Sequence, residues 1–160
     1  MSKLHIFKVT IYLILMLSVM TAIFMFSSQD IHDSLSVSGR LLERIEKFFE
    51  LLPRLTNGGA EKDVRKYAHM FEYMLLGITS VLLFVILFWQ ASQPSACAAV
   101  MSYIFCFAYA ALDEFHQYFV PGRSAKFVDI LIDSVGFTAG IMFTVAISLA
   151  VKHKKRRAAK

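Results

Sequence analysis

The sequence predicts an all-α integral membrane protein: a four-helix bundle with one amphipathic interfacial helix in the first extracellular loop. Three observations carry that reading. The chain of 160 residues is 57% hydrophobic, with a mean hydropathy of +0.57, a membrane composition rather than that of a soluble core. Its apolar residues collect in runs close to twenty long, enough to cross about 30 Å of hydrocarbon at a helical rise of about 1.5 Å per residue. Its charges gather where those runs end. One domain, residues 1–151, precedes a basic tail, residues 152–160.

The first span is expected over about 7–26. It follows Lys3 and Lys8 as a signal peptide would, but its apolar run is long for a signal core and no small-x-small cleavage site follows, so it reads as a span. The loop after it contains SGRLLERIEKFFELLPRL, in which Leu41, Leu42, Ile45, Phe48, Phe49 and Leu52 share one helical face. Glu43, Arg44, Glu46, Lys47 and Glu50 take the other, which predicts a short helix lying flat on the outer surface or lidding the bundle. Ser38 suits its N-cap and Pro53 its stop. Asn57-Gly58-Gly59 then turns the chain towards span two, about 67–90; spans three and four follow at about 96–118 and 127–151. Cys97 and Cys106 fall on one helix, where a mutual disulfide is geometrically excluded.

Orientation follows from the cations. Lys152, Lys154, Lys155, Arg156, Arg157 and Lys160 close the chain and Lys3 and Lys8 open it, so four spans in the cell membrane put both termini in the cytoplasm. The loop over 27–66 carries seven Lys or Arg residues, but seven acidic ones accompany them, and the tail cluster is tighter. The tail therefore reads as a topology anchor beside the inner leaflet, with no nucleic-acid partner implied.

On this arrangement the polar residues of every span fall at its outer end. Span one ends in Ser27, Ser28 and Gln29. Span two begins with Arg65, His69 and Glu72, spaced to share a helix face. Span three ends in ALDEFHQYFVPGR (111–123), where Asp113, His116 and Gln117 lie within about 100° of arc with Tyr109, one turn before Asp113, and with Glu114 at the edge. Span four begins with Asp129 and Asp133, and the same face continues into Gly136 and Gly140, a GxxxG pattern that admits a neighbouring helix or a second copy of the chain. An Asp at the centre of a spanning helix costs about 2.5–3.5 kcal/mol on insertion scales, so these acids are expected to face inward and find partners: Glu72 with His116 or Arg65, Asp133 with Arg123 or His69. A polar pocket open to the outer leaflet is the expectation.

FSSQ (26–29), RKYAHMFEY (65–73), DEFHQYFVPGR (113–123) and DILIDSVGFTAG (129–140), in that order on four spans, resemble the VanZ-like family of small bacterial membrane proteins. The resemblance spans nearly the whole chain outside the tail and the details of the first loop. In the family pattern Asn is frequent at the position of Asp133. The family's label comes from a gene product associated with resistance to teicoplanin, a glycopeptide antibiotic that acts where cell-wall precursors are exposed. The resemblance thus implies a cell-envelope role and names no reaction.

The residues leave two chemistries open. An enzyme acting on an envelope lipid or lipid-linked cell-wall precursor would use Glu114 or Glu72 as general base, His116 or His69 as proton shuttle and Asp113 as a paired acid. Arg123, Arg65, Gln117, Asp129, Asp133, Ser28 and Gln29 would then hold the substrate. His69-x-x-Glu72 and Asp113-x-x-His116 also form two N,O pairs at i, i+3 that facing helices could bring round a metal. A binding or shielding protein would use the same pocket for a lipid headgroup without turnover. A transporter or channel is the weakest alternative, because the inner halves of the spans carry only scattered Ser and Thr.

Overall fold

The structure, a computed structural model, describes residues 3–28, 60–88, 94–121, 123 and 126–158, without the side chains of 60–65, 94, 155 and 156. Four helices follow one another: α1 Lys3–Ser27, α2 Ala60–Leu87, α3 Pro94–Gln117 and α4 Phe127–Ala158. Stretches of 25, 22, 23 and 28 residues within them are long and apolar enough to cross a membrane. The chain is therefore a multi-pass membrane protein, all-α among the described residues. The amphipathic helix expected in the first loop, and Gln29, lie outside the described residues.

The helices overrun the expected spans where local propensity allows. α2 starts at Ala60, two turns before the apolar run. α4 continues through the basic segment to Ala158, so the expected tail is largely its last turns. Lys, Arg and Ala are strong helix formers, and cations are favoured at a helix C-terminus. α3 opens on Pro94, where the missing N–H costs nothing.

Chain direction alternates, so α2 and α4 run parallel. Their contact is the most extensive in the bundle, and α2 also packs on α1 and α3. Glycines make the α2–α4 approach possible. A Cβ added at Gly136 would come within 2.1 Å of the Met70 carbonyl oxygen, one at Gly140 within 2.2 Å of that of Met74, and one at Gly77 within 2.4 Å of that of Phe137. Without a hydrophobic force between helices in lipid, such backbone proximity supplies the dispersion contacts that hold spans together. Gly136 and Gly140, read above as a possible face between copies, are thus filled by α2 of the same chain. Tyr73, Leu76, Phe137, Ile141, Cys106, Ala110 and Ile23 pack around this crossing.

α1 is apolar on every side, with Leu4, Phe7, Ile14, Leu17 and Phe24 exposed. Its hydroxyls do not face lipid unpaired: Thr10, Ser18 and Thr21 each donate to the carbonyl four residues back, at 2.8–3.0 Å. α1 meets α3 over a short stretch only. That stretch is polar, and it opens onto the candidate site.

Candidate functional site

The α1–α3 contact is made by hydrogen bonds at the end of the bundle where α1 and α3 finish and α2 and α4 begin. Tyr109 donates to the Met20 carbonyl at 2.7 Å. One to two turns on, Ser27 donates to Asp113 Oδ2 at 2.8 Å. Gln117 Nε2 donates to the same oxygen at 3.1 Å and to Ser27 Oγ at 3.2 Å. Ser28 Oγ lies 3.2 Å from His116 Nε2, and the His116 ring packs on Phe24 with centroids 4.8 Å apart. Arg123, carried back by the turn after α3, donates to the Phe26 carbonyl at 2.9 Å and so caps the C-terminus of α1. These bonds supply what lipid cannot for a helix with no polar stripe of its own.

Asp113 and Glu114 are adjacent on α3, and both are buried, at 5% exposure each. They serve different neighbours because they are about 100° apart on the helix. Asp113 turns to α1 and also meets the fully buried Tyr73 of α2. Glu114 turns to α4, where its carboxylate accepts the backbone N–H of Lys126 and pins the approach to that helix. The α3–α4 connection is tightened by successive bonds from the N–H groups of Phe119 and Val120 to the carbonyls of His116 and Gln117, at 3.0 and 3.1 Å.

Beside Glu114 is a small cleft of about 20 Å³, bounded by Asp129, Ile132 and Asp133 of α4, Lys66 and His69 of α2, and Gln117. That volume suits one water-sized group. Asp133 is 6% exposed, and no donor among the described residues reaches its carboxylate. Asp113, Glu114, Asp129 and Glu72 all lie within electrostatic range of it. Behind the cleft, Glu72 Oε2 sits 3.4 Å from His69 Nδ1.

Asp113, Glu114, Gln117, Arg123, Asp129, Asp133, His69, Glu72, His116 and Ser28 therefore all lie at one end of the bundle, but not in one constellation. His116 does not line the cleft that holds Glu114; it belongs with Ser28 and Phe24. Of the two partners expected for Glu72, His116 lies with Ser28 and Phe24 instead and the Arg65 side chain is outside the described set; His69, one turn away, is the neighbour at 3.4 Å. The two expected metal-binding pairs part in the same way: His69 and Glu72 stay together, whereas Asp113 and His116 go to different serines of α1. Among the described residues no group of three or more His, Cys, Asp or Glu side chains is placed to hold a metal ion. Arg65 lies on α2 with its side chain outside the described set.

Three participants were not anticipated from the sequence. Tyr73 lies four residues after His69 on the same face, a spacing that could have flagged it. Lys66 looked like one more cation of the loop before span two. Lys126 contributes a backbone N–H, which no side-chain pattern announces.

The fold and the site define a class: a multi-pass helical membrane protein with a cluster of buried ionisable side chains at one end of its bundle. The family model described as VanZ/LLP1 matches residues 10–148, and the chain belongs to that family. No curated protein and no solved structure matches it.

Proposed function

We propose that this VanZ-family protein binds the headgroup of an envelope lipid or lipid-linked cell-wall precursor at the outer leaflet, and that this binding underlies a role in teicoplanin-type resistance. The observation that carries the reading is Asp133, a buried carboxylate lining the cleft without a protein donor among the described residues. Glu114 and Asp129 line the same cleft, and like charges held together at a membrane-embedded site favour a cation or donor from outside. The basic end of α4, Lys152 to Arg157, supports an outward-facing cleft, because clustered cations favour the cytoplasmic side and the cleft is at the other end of the bundle.

The His69–Glu72 pair favours a second, catalytic reading. His69 borders the cleft and its Nδ1 lies 3.4 Å from Glu72 Oε2, a proximity that substrate binding would have to tighten into the hydrogen bond of a base and its orienting group. Two measurements separate the readings. Lipid extracted from the purified protein should contain one species enriched over the host membrane, and a Glu114→Gln protein, which keeps the acceptor for Lys126 and loses the charge, should lose that enrichment and the resistance while keeping its unfolding temperature. Chemical change of the bound lipid on incubation would establish turnover; lipid of bulk composition in the wild-type extract would refute headgroup recognition.

A further inference from the structure

A second cavity adjoins the cleft. It is a groove of about 300 Å³ on the surface between α2 and α4, lined by Tyr67, Met70 and Val135 together with Lys66 and Ile132, which it shares with the cleft. Tyr67 and Val135 are exposed, and the groove lies near the ends of stretches long and apolar enough to span a membrane, where lipid would adjoin it. Met70, on its lining, is also where Gly136 lets α4 approach α2 at backbone distance. Apolar groove, shared Lys66 and a cleft that carries the carboxylates of Glu114, Asp129 and Asp133 thus adjoin one another in that order.

That order matches the parts of one molecule. We propose that the site takes a diacyl aminophospholipid from the surrounding bilayer, entering sideways between α2 and α4. An acyl chain lies along Tyr67, Met70 and Val135, the phosphate meets Lys66, and the primary ammonium enters the cleft and donates to Asp133. The proposal rests on the headgroup-binding reading above and names its ligand class. Charge complementarity selects the amine, since a headgroup ending in a phosphate or sugar would bring further acceptors to three carboxylates. Hydrogen bonding selects a primary amine: an ammonium brings three N–H donors to the carboxylates that line the cleft, and a trimethylammonium brings none. The buried Asp133 gains the hydrogen bond that the protein does not give it among the described residues.

The test uses the purified full-length protein in nanodiscs of matched acyl composition, with bound lipid quantified by native mass spectrometry. Phosphatidylethanolamine should be retained over phosphatidylcholine and phosphatidylglycerol by about tenfold or more, the worth of one charge-assisted hydrogen bond. Asp133→Asn should erase the preference for the amine over choline. Val135→Trp, which fills the groove and leaves the cleft intact, should weaken retention of phosphatidylethanolamine, while Leu149→Trp, on exposed surface near the far end of α4, should not. Equal retention of the ethanolamine and choline lipids, or preference for phosphatidylglycerol, would overturn the inference. If all three are rejected but a polyprenyl-diphosphate lipid binds, this inference fails and headgroup recognition stands. If none binds, both fail.

Discussion

At the scale of single residues, the informative feature is how differently two adjacent acids are used. Asp113 holds helices together through Ser27 and Gln117, whereas Glu114 fixes the entry to α4 and borders the cleft. Replacing Asp113 with Leu leaves Ser27 and Gln117 without their shared acceptor, and should lower stability in detergent by about 1–3 kcal/mol, read as a fall in unfolding temperature. Asp113→Asn keeps an acceptor oxygen for both donors, and the loss should be smaller than for Leu. Ser27→Ala and Asp113→Leu, each of which removes the bond, should couple by about 0.6–1.7 kcal/mol in a double-mutant cycle, the range for interhelical hydrogen bonds in membranes; strict additivity would show that the bond contributes nothing. The sequence placed both acids at the end of the third span but could not assign their partners. A helix face about 100° wide covers two neighbours, and only the positions of α1 and α4 decide which acid meets which.

At the scale of elements, two unlike devices hold four apolar helices together. α2 and α4 meet through Gly77, Gly136 and Gly140 at backbone distance, and α1 is fastened to α3 by Tyr109, Asp113, Gln117 and His116. Gly140→Leu must push α2 and α4 apart, and should cost about 1–3 kcal/mol or prevent accumulation of folded protein. Ala139→Leu, one position away on an exposed face, should leave the unfolding temperature unchanged. The glycine pair was legible as GxxxG, and its partner was not: the motif specifies a close approach and says nothing of whether the other backbone belongs to the same chain. His116 shows the same limit, since its spacing with Asp113 promised a shared site and α1 drew the two side chains to separate serines.

At the scale of the whole molecule, parity fixes the arrangement. Four spans bring the ends of α1 and α3 and the starts of α2 and α4 to one face, and Lys152 donating to Ser95 at 3.2 Å ties α4 to α3 at the other. The basic segment should hold that other face in the cytoplasm. In a variant without native cysteines, Lys126→Cys should react with a membrane-impermeant maleimide in intact cells. Reaction only after permeabilisation would invert the protein and place the cleft at the inner leaflet.

The sequence by itself determined the class, the number of spans, their alternation and the end at which ionisable groups gather. Each of these follows from the length of apolar runs and from the cost of placing charge in hydrocarbon, quantities that belong to single segments. The tertiary structure alone decided that Asp113 serves α1 and Glu114 serves α4, that the glycines seat α2, and that Asp133 is left facing a cleft with Lys66 and an apolar groove at its mouth. Those outcomes depend on how far apart and at what rotation the four helices settle, and packing between segments, unlike hydropathy, cannot be read from any one of them.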